Sequence, residues 1–407
     1  MTSARTSARD RRARLAVAAL FLTNGAMFAS LLPRYPEIKS DLMISNTGFG
    51  LSVAAFSAGA LLSGPTAGAL VRRFTSAHVA VATSLVLAAF TFAASVAPSA
   101  ALFASAMFVA GAGDAVTDVA QNAHGLRVQR NYRRSIINSL HAVWSVGAVA
   151  GGLIGAASIA AGVPRGVQLA GTGLLFGAIA LGAHRLLLPG PDRDVPPAGD
   201  DAAPAPPRVG PGTLAAVAML AALAIAGAAV EDSGSSWATL YLHTELGAPA
   251  AVAAFGYIAL VGFQFLGRLL GDRLVDRFSE RSVARAGGLV IAVGMALALA
   301  LPGTAGTIAG FAAAGFGVAT VIPAAFHAAD NLTGLPPGTG LTAVTWLMRS
   351  GFLLAPVVVG AIADAAGLRV GLLIVPAAGV VIAATAGVLA GSRRGASSGW
   401  WRRESRS

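Results

Sequence analysis

The 407-residue chain has no cysteine, and 28 of its 29 basic residues are arginine, Lys39 being the single lysine. Without cysteine there is no disulfide framework, no thiolate metal site and no thiol nucleophile, and the redox compartment leaves no mark on the sequence. A phosphate-binding loop needs a lysine after its glycine, which Lys39 does not supply, so ATP hydrolysis by this chain is not expected. No two of the six histidines stand four residues apart, which removes a zinc-protease helix. Charge is scarce as well, at 12% against about a quarter in soluble proteins. A soluble enzyme is excluded on that ground, and no residue cluster implies a cofactor, a metal or a catalytic set.

What is present is apolar. Hydrophobic residues make up 55% of the chain, mean hydropathy is +0.70, and a bilayer crossing takes about 20 residues. Twelve spans are predicted, near 14–33, 47–71, 77–97, 100–123, 135–160, 166–188, 212–241, 250–271, 283–302, 304–326, 339–362 and 368–391. The first follows Arg9, Arg11, Arg12 and Arg14 in the order of a signal peptide, but it is too long for one and eleven spans follow. It is expected to remain as an anchor.

The basic residues sit at the ends of apolar runs rather than on one face, which argues against a nucleic-acid partner. Cytoplasmic loops accumulate arginine, and an inside N-terminus assigns 24 basic residues to the inner side against four outside, Arg34, Lys39, Arg165 and Arg369. The expectation is an integral plasma (cytoplasmic) membrane protein, the inner membrane of a bacterium, with both termini cytoplasmic. Residues 189–211 hold eight of the 20 prolines and no apolar run, so they read as a linker. The chain then divides into a basic N-tail (1–13), a six-helix bundle (14–188), the cytoplasmic linker (189–211), a second six-helix bundle (212–391) and a basic C-tail (392–407).

The halves repeat. At an offset of 204, Val71 to Ala80 lies on Val275 to Ala284 with five identities in ten positions, and Gly147 falls on Gly351. An all-α membrane protein of twelve transmembrane helices in two repeated six-helix bundles, with a basic loop after helices 2 and 8, resembles the major facilitator superfamily. Its loop signature, roughly G-x-x-x-D-R-x-G-R-R, is matched in part by Asp276-Arg277-Phe278-Ser279-Glu280-Arg281. In the first copy Arg72 stands where the acid is expected, beside Arg73. The element Asp118-Val-Ala-Gln-Asn122 resembles the acid-x-x-x-Asn element of the fucose-permease-like branch. The resemblance implies a major facilitator fold around a central cavity lined by helices 1, 4, 7 and 10. It also implies a conformational gating role for Arg73, Asp276 and Arg277, joined by Gly147 and Gly151 of the small-residue face on helix 5. That face is similar to an antiporter signature, except that Gly152 occupies its proline position.

Charges inside the bilayer are functional candidates, because each costs several kcal/mol by most estimates. Asp114, Asp118 and Asn122 recur every four residues and share one face of helix 4. Carboxylates removed from water can exchange a proton near neutrality, which is what proton coupling requires. His141, at comparable depth on helix 5, is either a proton relay or a structural hydrogen-bonding group. On helix 7, Glu231 and Asp232 with Trp237 form either a solute contact or an interfacial cluster, with Trp237 and Tyr241 as an aromatic belt. Arg349 is the one base inside a span, at the depth of Asn24 and Asp114, and it needs an anion, whether Asp114 or the substrate. His124 and His327 are expected at helix ends facing the interface.

These residues predict a secondary active transporter working by alternating access on a small-molecule substrate, with protons and membrane lipids as its other partners and a monomer as the working unit. Proton-coupled symport of a sugar-like or other small polar solute is one reading. Proton-driven export of a hydrophobic drug or metabolite, met by Phe28, Phe56, Phe263, Phe265 and Met348, is the alternative. An intramembrane enzyme finds nothing better than Ser233 near His243, and a receptor or scramblase would tolerate neutralisation of the buried charges.

Overall fold

The computed structural model describes residues 8–132, 135–190, 192, 210–332, 334–336 and 338–389. Among the described residues twelve helical segments are long and apolar enough to cross a membrane. They are α1 (Ala8–Leu42), α2 (Asn46–Phe74), α3 (Ser76–Ser95), α4 (Ala100–Tyr132), α5 (Ile137–Ala160), α6 (Arg165–His184), α7 (Pro211–Thr244), α8 (Ala250–Phe278), α9 (Glu280–Ala300), α10 (Thr304–Asp330), α11 (Thr339–Ala366) and α12 (Leu368–Val388). Every predicted span has its helix. Because successive helices alternate in direction, α1 begins and α12 ends on the same side, called here the termini side; the other is the far side.

Boundaries move where proline decides them. The first span was expected to end near 33 in a loop; instead the helix Ala8–Ala29 is followed by a 3₁₀ turn, Leu32–Arg34, and a short helix, Tyr35–Leu42. Pro33 and Pro36 open these two pieces, where a missing N–H breaks no helical bond. Helix α10 is interrupted between Val318 and Val321, and α12 between Gly371 and Ile374, just ahead of Pro323 and Pro376. Residues 8–13, assigned to the N-tail, are already helical. The tail's first seven residues, linker residues 191 and 193–209, and the C-tail lie outside the described residues.

The repeat is visible atom by atom. In the first half α2 and α3 pack on α4, α1 on α5 and α6, and α3 on α6; in the second α8 and α9 pack on α10, α7 on α11 and α12, and α9 on α12. A Cβ at Gly111 would stand 1.9 Å from the Phe56 carbonyl oxygen, and one at Gly315 would stand 2.0 Å from that of Leu260. Arg165 Nε donates to the Ser95 carbonyl at 2.5 Å, and Arg369 Nε to that of Leu299 at 2.6 Å. Thr75 and Ser279 turn the chain with φ of 69° and 79°. Each of these pairs is separated by the offset of 204. Ser279 occupies the glycine position of the loop signature, and its positive φ is the reason glycine suits that place.

The bundles meet along three seams: α2 on α11, α5 on α8, and the end of α1 on α7. Contacts on the far side are dense. The Asp364 carboxylate caps α2 by accepting from Asn46 N and Thr47 N, at 2.8 Å each. Gly50 lies against the Pro356 carbonyl, Gly360 against that of Asn46, and Gly152 against Tyr257 and Ile258. Next to them Phe49 meets Trp237 edge on at 5.4 Å and Tyr35 at 5.1 Å. The far side is therefore shut by packed side chains and backbone.

Candidate functional site

Helices α1, α4 and α5 assemble one continuous polar chain. Asn24 Nδ2 donates to Asp114 Oδ1 at 2.7 Å, while Asn24 Oδ1 accepts from Trp144 Nε1 at 2.9 Å and lies 3.5 Å from Gln121 Nε2. Gln121 Nε2 is also 3.4 Å from Asp118 Oδ1, which accepts from Asn122 Nδ2 at 2.9 Å. The far end of the chain is His141, whose Nε2 stands 3.2 Å from Asn122 Oδ1. Helical spacing explains the assembly: residues three and four apart on α4 share a face, and α1 and α5 close on that face. Asn24 and Gln121 are buried, Asp114 is half-buried, and Asp118 and His141 are exposed. A proton or a solute hydroxyl reaching Asp118 thus has bonded neighbours leading inward to Asp114.

The C-terminal bundle answers with a smaller cluster. Glu231 on α7 accepts from Gln264 Nε2 at 2.5 Å and lies 3.7 Å from Arg268 NH2, both on α8. Arg268 also lies within electrostatic reach of His141 on the opposite bundle, and Arg349 within reach of Asp118. Of the two anions open to Arg349, Asp114 or the substrate, Asp114 is not paired with it. Asn24 turns the Asp114 carboxylate into its own bundle, and the Arg349 guanidinium lies over Gly64 of α2, where a Cβ would come within 3.1 Å of NH1.

Several other expectations change. Trp237 and Tyr241 are fully buried, so they are not an aromatic belt; they pack behind the far-side seal with Tyr35 and Phe49. Asp232 is buried too, with Oδ1 3.3 Å from Ser236 Oγ and Oδ2 unpartnered among the described residues. His124 is not interfacial but fully buried, tying α4 to α3 through Ser76 Oγ at 2.8 Å and to the chain after α6 through Leu188 N at 3.1 Å. His327 does lie exposed at a helix end, 2.9 Å from Glu280 Oε1.

Among the gating candidates, Arg73 stacks over Phe74 at 5.3 Å and Arg277 over Phe278 at 5.4 Å, repeat partners in the same posture. Asp276 makes no ion pair among the described residues. Gly147 and Gly151 join α5 to α1 inside one bundle, against the Leu22 and Ala26 carbonyls; the glycine of α5 that meets the other bundle is Gly152. Gln121, Trp144, Gln264 and Arg268 were not singled out from sequence. Arg268 had been taken as an orientation signal, although its repeat partner is Gly64, the residue beneath Arg349. No group of three or more His, Asp or Glu able to hold a metal occurs among the described residues.

Comparison with known proteins agrees with this fold. The profile of the Major Facilitator Superfamily matches residues 17–335. Membrane protein MosC of Rhizobium meliloti is 30% identical over 372 residues, covering 90% of this chain and 87% of MosC. Among solved structures, a mutant of the nucleoside transporter NupG superimposes with a TM-score of 0.75 at 13% identity, covering 92% of this chain and 99% of that one. FucP in the outward conformation gives 0.60 at 19% identity, covering 93% and 99%. At such identities the structures speak for the fold. The chain belongs to the major facilitator superfamily, a family of membrane transporters and not of enzymes.

Proposed function

We propose that this transporter couples solute movement to protons through the chain from Asp114 to His141, with Arg268 and Arg349 of the other bundle facing it. The observation that carries the reading is the continuity of that chain across α1, α4 and α5, ending in the exposed pair Asp118 and His141 on the side opposite the far-side seal. Alternating access then moves the two bundles relative to each other, so that Asp118 changes its distance from Arg349 and His141 its distance from Arg268. A carboxyl that loses a nearby guanidinium takes up a proton more readily, and that dependence links the rocking motion to proton transfer.

A small polar solute suits the site, since the accessible groups are carboxyl, amide, imidazole and guanidinium. Symport of a sugar-like compound follows from the Asp118-to-Asn122 element and its fucose-permease likeness, although the fold lies nearer to NupG than to FucP. Of the aromatic residues assigned to hydrophobic export, Phe28 and Phe56 stack on each other at 4.1 Å within the first bundle, which weakens that alternative. The arginine distribution supports a cytoplasmic termini side, and on that reading the exposed pair Asp118 and His141 faces inward.

The test is transport by purified protein in vesicles under an imposed proton gradient. Asp118→Asn is expected to abolish proton-driven accumulation while preserving counterflow, because the amide keeps the shape without carrying a proton. Wild-type accumulation by that variant removes Asp118 from the mechanism, and an extracellular signal from a reporter fused within 193–209 overturns the orientation.

A further inference from the structure

On the termini side α1, α3 and α6 border a half-open cavity of about 710 Å³ whose wall includes Arg9 and Arg12, Thr75 and His78, and His184 and Arg185. It is separate from the transport site, because α3 and α6 take no part in the three seams between the bundles. Arg9 and Arg12 stand three apart on one helix face, and Arg185 follows α6 directly. Their guanidinium groups make no ion pair or hydrogen bond among the described residues. Nearby acids are engaged elsewhere: Asp10 accepts from Asn131 at 2.8 Å, and Asp192 accepts from Ser76 N and Oγ at 2.6 and 2.7 Å and lies 3.6 Å from Arg127. The rings of His78 and His184 meet edge to face at 4.7 Å within the same wall.

The cavity adjoins an apolar strip. Leu15, three residues on from Arg12, is 70% exposed, and Leu181, four residues before Arg185, is 52% exposed, with Leu174 one heptad further along α6 at 76%. A cationic cavity at the head of an exposed leucine strip is complementary to an amphiphile, with an anionic head and apolar chains. Because α1 and α6 are membrane spans, those leucines face the acyl region, so one lipid can set its headgroup on the arginines and its chains on the leucines, whereas a soluble anion would use the arginines alone.

We propose that this cavity binds the headgroup of an anionic phospholipid of the termini-side leaflet, with the phosphate between Arg9, Arg12 and Arg185 and the acyl chains along Leu15, Leu181 and Leu174. Native mass spectrometry of the full chain in detergent, titrated with phosphatidylglycerol or phosphatidylcholine, tests it. Phosphatidylglycerol is expected to be retained in preference to phosphatidylcholine, and Arg12→Gln and Arg185→Gln are each expected to weaken that retention roughly fivefold. Arg130→Gln, on α4 at the same side but outside the cavity, is expected to leave it unchanged. Equal retention of the two lipids, or an equal loss with Arg130→Gln, overturns the proposal. So does displacement of the lipid by low-millimolar inorganic phosphate, which would assign the cavity to a soluble anion, or a gain in retention with Asp200→Asn and Asp201→Asn, which would assign it to the linker. Should the arginine variants not fold, photoactivatable phosphatidylglycerol on the unaltered protein decides the matter: crosslinks are expected within 9–15, 75–78 and 174–186, and crosslinks elsewhere refute it.

Discussion

Gly111 against Phe56 and Gly315 against Leu260 are the same contact made twice, and so are the Arg165 cap on Ser95 and the Arg369 cap on Leu299. The polar groups are not repeated in this way. Asp114, Asp118 and Asn122 fall on Val318, Ile322 and Phe326 at the same offset, and Glu231, Gln264 and Arg268 fall on Met27, Ala60 and Gly64. Gly111 and Gly315 keep in both halves a backbone approach that a methyl group would block, whereas Gly59, as close to the Phe108 carbonyl, falls on Phe263, so only part of the helix packing is held to the repeat. Charges in the interior are costly and are not needed by the scaffold, since one half always manages without them. The difference between the bundles therefore marks polar residues that the repeated scaffold does not itself require.

It also places them. Arg349 sits at the α2/α11 seam beside Gly64, and Arg268, the repeat partner of Gly64, sits at the α5/α8 seam within reach of His141. Both seams thus carry one guanidinium, each from the C-terminal bundle, while Asp118 and His141 come from the N-terminal one. On the proposed mechanism, rocking the bundles would change the spacing of Asp118 from Arg349 and of His141 from Arg268 at once.

The comparison breaks most sharply at Arg349. Arg349→Ala is expected to reduce proton-driven transport on the order of 100-fold, by leaving Asp118 without its facing cation. Adding Asp118→Asn should then abolish the proton-driven accumulation that is left but cost counterflow little more, whereas adding Asp114→Asn should cost counterflow a further full step, since Asp114 is held by Asn24 within its own bundle. A transport-based double-mutant cycle measures both couplings. Coupling of Arg349 to Asp114 but not to Asp118 would mean that the working pair forms in another conformation.

A smaller effect tests the scaffold. Gly111→Ala and Gly315→Ala each place a methyl group about 2 Å from a carbonyl oxygen, so each is expected to destabilise by about 2 kcal/mol or more as the helices are forced apart. Thermal unfolding in detergent should show similar losses for the two. A large loss at one and none at the other would mean that the halves are packed differently.

How far this was legible from sequence depends on the kind of interaction. Twelve apolar runs, the arginines at their ends and the offset of 204 are properties of the chain itself, and the helices follow them. The face shared by Asp114, Asp118 and Asn122 follows from helical periodicity alone. What periodicity does not carry is which helix closes on that face: Trp144 and Gln121 join the chain through packing, and Arg268 has the composition of a loop arginine while pointing into the space between the bundles. Aromatic residues mislead for a related reason. Trp237 and Tyr241 near a predicted helix end match an interfacial belt in composition, and they are covered in part by the short helix Tyr35–Leu42, which lies between the first two predicted spans.

The smallest expected effect concerns Thr75 and Ser279, which share a turn that places a residue with a side chain at positive φ. Such a conformation costs roughly 1–3 kcal/mol for a residue bearing a Cβ, and more for a β-branched one. Replacement by glycine removes that strain, while the added freedom of the unfolded chain returns roughly 0.5–1 kcal/mol of it. Thr75→Gly also loses the hydroxyl contact to His78 Nδ1 at 2.9 Å, and Ser279→Gly loses a long capping bond from Ser282 N at 3.4 Å. The threonine carries the larger strain, so Thr75→Gly is expected to raise stability by about 1 kcal/mol and Ser279→Gly by about half as much. Alanine at either position keeps most of the strain, shedding only the β-branched part at 75, and loses the side-chain bond, so it should lower stability by a few tenths of a kcal/mol. Unfolding midpoints of the four variants separate these contributions: glycine stabilising and alanine destabilising at both positions makes the turns equivalent in energy as well as in shape, and opposite signs for the two glycine variants would show that only one of the turns is held under strain.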